Sequence, residues 1–113
     1  MPRYALALDL KDDPALIAGY EAHHRAIWPE IRRSIHESGI ERMEIYRLGN
    51  RLFMVMETDE DFSFTAKADA DASNPTVQDW EALMWNYQQA VPTAQPGEKW
   101  VLMDLIFETN ATR

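Results

Sequence analysis

The sequence contains no cysteine, so disulfide cross-links and thiolate chemistry are both excluded for this chain. It is also short of positive charge. Eleven Lys and Arg stand against nineteen Asp and Glu, for a formal net charge of -8. An acidic surface repels phosphate backbones, so no nucleic acid is expected as a partner, and highly phosphorylated substrates are disfavoured for the same reason. A neutral small molecule is compatible with that charge, although solubility alone is a sufficient reason for it. No apolar run approaches the length of a membrane span and no signal-peptide pattern opens the chain. The expected location is therefore cytoplasmic, with no membrane partner. Gly-rich phosphate loops, the nucleophile elbow and the dinucleotide fingerprint are missing as well. A metal site needs three or four convergent ligands, whereas His23 and His24 are adjacent and lack a His-x-x-His or Glu-x-x-His pattern. No metal and no cofactor is expected.

What remains is an ordinary globular composition over 113 residues, 46% hydrophobic and 27% charged. It fits a single domain, residues 1–113, long enough to bury a core. Arg3 to Leu10 alternates, with Tyr4, Leu6, Leu8 and Leu10 on one side, which predicts a strand. Asp13 and Pro14 predict a helix start, as N-cap and first helical residue. Helical periodicity continues to about Glu37, divided in two by Pro29 and closed by Gly39. Ile40–Leu48 and Arg51–Thr58 form a predicted hairpin about Gly49-Asn50, and the run Leu52–Met56, apolar on both faces, predicts a central strand. Asp59–Asp71 predicts a short helix. Asn74-Pro75 opens another that should reach about Ala90. Trp100–Phe107 predicts a last strand, and Asn110–Arg113 a frayed tail. The order β-α-β-β-α-β is the ferredoxin-like α+β arrangement, an antiparallel sheet with helices on one face. Strands apolar on both faces require the open face to be covered, most simply by a second copy, giving a homodimer of the dimeric α/β-barrel type.

The densest chemistry lies in Tyr20–Glu30, Tyr-Glu-Ala-His-His-Arg-Ala-Ile-Trp-Pro-Glu. Tyr20 and His24 are one helical turn apart, which predicts a phenol–imidazole hydrogen-bonding pair able to exchange a proton near neutral pH. The plainer alternative is a helix histidine that only packs and bonds locally. His23 points elsewhere and is expected at the surface, and His36 sits near a helix end where its positive form suits the dipole. Trp80, like Trp28, Trp85 and Trp100, suits either the apolar face of a sugar or plain core packing. Glu81 and Asp104 lie among apolar neighbours in the sequence. Each is a candidate proton carrier or a structural partner for an arginine such as Arg25 or Arg47.

Tyr20-x-x-x-His24 followed by Ile27-Trp28-Pro29-Glu30 resembles the signature of the L-rhamnose mutarotase family, and the resemblance runs from Arg3 to about Glu108. It implies a dimeric ferredoxin-like fold and a cofactor-free interconversion of the anomers of a small sugar. It also implies His24 as proton donor, Tyr20 as a substrate-binding residue and Trp80 as a sugar-contacting one. Met43 and Glu81 stand where the rhamnose enzymes typically carry a Tyr and a second Trp. The stretch Asn74–Glu81 instead resembles the L-fucose mutarotase branch. Met43 and Glu81 thus join the expected substrate-binding set, and L-fucose is expected to be favoured over L-rhamnose, its 6-deoxy-L-hexose relative differing at C2 and C4. The base is left open among Tyr20, Glu81 and Asp104. Two other functions fit a small α/β-barrel chain: a cofactor-independent monooxygenase and a non-catalytic ligand-binding domain.

Overall fold

The alternating residues of Arg3–Leu10 form strand β1, with Leu6, Leu8 and Leu10 buried on one side. The structure, a computed structural model, describes residues 1–111; the last two residues of the expected tail lie outside it. Helix α1 (Pro14–Arg25) starts as its sequence predicts, with the Asp13 carboxylate accepting from the N–H of Ala15 at 2.9 Å and of Leu16 at 3.2 Å. Pro29 is the first residue of α2 (Pro29–Glu37), and Gly39 follows it in the left-handed region at φ 100°, which only glycine adopts without cost.

The hairpin is strand β2 (Ile40–Leu48) and strand β3 (Arg51–Thr58), joined through Gly49 at φ 59°. β3 lies between β2 and β1, the central place expected for a strand apolar on both faces. Helix α3 is Phe64–Ala72, capped by Ser63, so the acidic residues before it form a turn rather than the helical start expected at Asp59. Helix α4 (Pro75–Trp85) is capped by Asn74, whose side-chain oxygen accepts from Thr76 and Val77.

Two expectations about the end of the chain require correction. α4 stops at Trp85 rather than near Ala90, because Gln88–Gln89 form a short strand, β4, against Leu10 and Asp9 of β1. The last strand, β5, is only Val101–Leu102, paired with Ala7 and Leu6. β4 and β5 thus share one edge of β1. Beyond the bond from the Met103 N–H to the Ala5 carbonyl at 2.8 Å, the chain leaves the sheet. Leu105, Ile106 and Phe107 are exposed, Ile106 by 92%. The radius of gyration, 14.9 Å, exceeds the roughly 13 Å expected of a compact domain of this length, as an outlying arm requires.

The result is a ferredoxin-like α+β fold: an antiparallel sheet in the order β2-β3-β1-β4, with its core between sheet and helices. One cluster joins Leu10 and Leu52 to Tyr20, Ile31, Val77, Trp80 and Met84. The other joins Leu6, Ile40, Met54 and Met56. On the opposite face Asp9 is buried and held by Arg51 through two bonds of 2.7 and 3.1 Å, while Tyr46, Leu48 and Phe53 are exposed. Among the described residues no helix is long and apolar enough to cross a membrane.

Candidate active site

Between the helices and the buried face of the sheet lies a cavity of about 420 Å³, within the range of small-molecule sites. The sheet supplies a floor of Leu6, Met43, Ile45, Met54 and Met56. α1 contributes Tyr20 and His24, and α4 contributes Trp80, Glu81 and Met84. Every residue expected from the sequence at the substrate therefore lines one cavity: Tyr20, His24, Met43, Trp80 and Glu81. Asp104 does not. It is exposed beyond β5, and its apolar neighbours in the sequence belong to the outlying arm.

The Tyr20–His24 pair is built differently from the expectation. His24 Nδ1 bonds the backbone carbonyl of Tyr20 at 2.9 Å, and the two rings lie 4.3 Å apart, tilted by 35°. A carbonyl only accepts, so Nδ1 carries a hydrogen and the neutral ring keeps its lone pair on Nε2. Burial lowers the His24 pKa from its ordinary 6.5, and the neighbouring His23 adds to the fall, while the carbonyl bond opposes it. His24 is accordingly a neutral imidazole at pH 7. Burial pushes the Tyr20 hydroxyl up to about 12, against an opposing hydrogen bond from the Gln88 side chain. A phenol with that pKa donates hydrogen bonds but does not serve as a base at neutral pH.

Trp80 is the hub of the aromatic wall. It meets Trp28 edge-on at 5.1 Å and His24 at 5.5 Å. His23, expected at the surface, is half-buried: its Nε2 bonds the Tyr87 hydroxyl at 3.1 Å. Glu81 pairs with neither Arg25 nor Arg47. Its partner is Lys99, whose Nζ reaches Oε1 at 3.1 Å and also lies over the Trp85 ring at 5.2 Å. Arg47 is held by Glu21. His36 donates from the end of α2 to the Ile40 carbonyl at 3.0 Å. Among the described residues no group of three or more His, Asp or Glu is arranged to hold a metal ion.

Sequence reasoning missed Gln88 and Lys99, which also line the cavity, and Trp100, one of the aromatic candidates, stands on the same wall. They follow α4 and reach the site because the chain there pairs with β1. The strand pattern of Trp100–Phe107 hinted that the segment returns to the sheet, whereas Gln88 stood within the helix expected to reach about Ala90.

The family model described as L-rhamnose mutarotase matches residues 3–109. An L-fucose mutarotase from Xanthomonas campestris pv. campestris is 51% identical over 102 residues, 88% of this chain and 82% of that protein. An L-rhamnose mutarotase from Phocaeicola vulgatus is 30% identical over 107 residues, 93% of each. Among solved structures, an L-rhamnose mutarotase from Formosa agariphila superposes with a TM-score of 0.72 at 19% identity, over 97% of this chain and all of that one. The tetracenomycin F2 cyclase of Streptomyces glaucescens follows at 0.63 and 21%, over 99% of this chain and all of that one. These two likenesses speak to the fold alone. The family model and the sequence relatives go further, and on their evidence this chain belongs to the L-rhamnose mutarotase family.

Proposed function

We propose that this chain is a sugar mutarotase that interconverts the α and β anomers of a 6-deoxy-L-hexose, with L-fucose favoured over L-rhamnose and His24 as the proton carrier. The observation that carries the reading is His24 itself: a neutral imidazole, fixed through Nδ1, on the wall of a cavity lined by Trp80 and Tyr20. Its Nε2 takes the proton of the anomeric hydroxyl. The C1–O1 bond becomes a carbonyl as the C1–O5 bond breaks, and the imidazolium formed returns its proton to O5. The open-chain aldehyde rotates about C1–C2 and closes from the other face by the reverse steps. Nothing is consumed, and no group beyond one acid–base residue near pH 7 is required. His24 is the proton donor in this scheme, but only after acting as the base.

Tyr20 is a neutral hydrogen-bonding group in the site, and Trp80 offers its ring to the apolar face of the sugar. L-fucose is favoured because the relative named for it is 51% identical, against 30% for the rhamnose enzyme from Phocaeicola vulgatus. Met43 and Glu81 also line the cavity where the rhamnose-type pattern carries aromatic rings. A homodimer belongs to the same proposal. Tyr46, Leu48 and Phe53 on the open sheet face and the arm residues Leu105, Ile106 and Phe107 are all exposed, and a second copy covering them would bury that apolar surface.

Saturation-transfer NMR of the anomeric protons tests the function directly. Addition of the protein should speed exchange in L-fucose more than in L-rhamnose, and Glu81→Trp with Met43→Tyr should move the preference toward L-rhamnose. Equal acceleration of both sugars would remove the specificity argument. No acceleration of any sugar in a panel that includes D-galactose would remove the mutarotase reading.

A further inference from the structure

Gln88 is 5% exposed, and its Oε1 is the one buried side-chain oxygen among the described residues without a donor. Its position is fixed by the backbone. Gln88 is the cross-strand partner of Leu10 in the β1–β4 pair, and the Lys11 N–H bonds the Tyr87 carbonyl at 2.9 Å. Partners directly opposite in an antiparallel pair project to the same face, and Leu10 is a core residue on the helix side. The Gln88 side chain is thereby directed to the cavity it lines, next to Tyr20 and Met84. Tyr20 lines the same wall, and the Gln88 side chain opposes the rise of its pKa. A buried amide oxygen left unpaired is costly, and an apolar side chain of similar volume would avoid the cost.

We propose that the Gln88 carboxamide is a substrate-specificity element, its Oε1 accepting a hydrogen bond from one ring hydroxyl of the bound sugar. The inference rests on the mutarotase reading and adds to it a residue that discriminates between sugars by a donor it must receive. Tyr20 and Gln88 then act together as neighbouring polar groups on the cavity wall. A site built to accept from a substrate hydroxyl rejects the analogue that lacks it.

The test compares exchange of L-fucose with exchange of its 2-, 3- and 4-deoxy analogues, using wild type, Gln88→Met and Gln88→Glu. Wild type should lose about tenfold or more in kcat/KM on one of the three analogues. The corresponding fluoro sugar should behave like the deoxy sugar, because fluorine cannot donate. Gln88→Met should show that same loss on L-fucose, mostly in KM, with no further loss on the sensitive analogue. Gln88→Glu, which keeps an acceptor oxygen, should restore the discrimination. Discrimination that survives intact in folded Gln88→Met overturns the proposal, as does equal kcat/KM of wild type on all the analogues. If Gln88→Met does not fold, ¹⁵N spectra of wild type decide. The Gln88 side-chain amide should move with L-fucose and less with the sensitive analogue, and an amide unmoved by any sugar overturns the proposal. Exchange of L-fucose by wild type is the internal control. Its absence would sink the mutarotase reading itself, a result distinct from exchange that ignores Gln88.

Discussion

Replacing His24 separates chemistry from architecture. His24→Ala removes the proposed proton carrier, the bond from Nδ1 to the Tyr20 carbonyl and the ring contacts with Tyr20 and Trp80. That bond contributes about 1 kcal/mol to stability. Against a typical stability of about 5–15 kcal/mol, the loss leaves nearly all molecules folded at 25 °C. The expected fall in exchange rate is on the order of 10²–10⁴, which corresponds to about 3–5 kcal/mol in the barrier. In a variant that stays folded, unfolding cannot account for a fall of that size. His24→Asn sharpens the comparison, since its amide can still donate toward the Tyr20 carbonyl but cannot carry a proton near neutral pH. Both variants should melt within several degrees of wild type by circular dichroism and lose anomer exchange by saturation transfer. A folded His24→Ala protein with exchange within threefold of wild type would refute the assignment.

Acid should act on the same residue. Because the folded pKa of His24 lies below 6.5, exchange should rise with pH through a midpoint under 6.5 and be level at neutral pH. Its contribution to stability is complete above 6.5 and is lost as pH falls toward the lowered value; a rate midpoint above 6.5 contradicts the neutral-base role. Gly19→Ala should destabilise the protein even though alanine favours a helix, because an added Cβ would stand 2.8 Å from Tyr87 Cε1. Overpacking costs about 1–3 kcal/mol against a propensity gain of about 0.5–1, so urea unfolding that shows a gain in stability refutes the clash. Sedimentation at micromolar concentration should find a dimer, and Phe53→Asp should weaken it; a wild-type monomer would contradict a partner on the open face.

Prolines and caps made the helices legible in the sequence. Pro14, Pro29 and Pro75 each occupy a first helical turn, and Asp13 and Asn74 cap as their side chains dictate. The two-residue period was equally reliable for β1, β2 and β3, whose residues face a core on one side. It failed after Trp85 for two different reasons. Gln88–Gln89 carry no strand preference and are extended only because β1 offers Asp9 and Leu10 as partners. Trp100–Phe107 carries strong strand preference, but only Val101 and Leu102 meet an edge within the same chain. The candidate site divides in the same way. Tyr20, His24, Trp80 and Glu81 lie on helices with readable faces, and Met43 on a strand of the hairpin. Gln88 and Lys99 reach the cavity through pairing between residues far apart in sequence, which no local pattern records. His23 was misjudged for the same reason, since Tyr87 comes from across the fold to cover it.

Four methionines, Met43, Met54, Met56 and Met84, line the cavity. Thioether side chains are unbranched and polarizable, and they follow a ligand's contour without a large penalty. Such walls discriminate poorly by shape. An epimer that moves one hydroxyl from axial to equatorial then meets walls that yield, which is consistent with the role proposed above for the polar atoms of Glu81 and Gln88. The same softness has a chemical cost. Each thioether that becomes a sulfoxide turns a yielding apolar surface into a fixed dipole, and because Met54, Met56 and Met84 also belong to the core, oxidation there would loosen the fold together with the pocket.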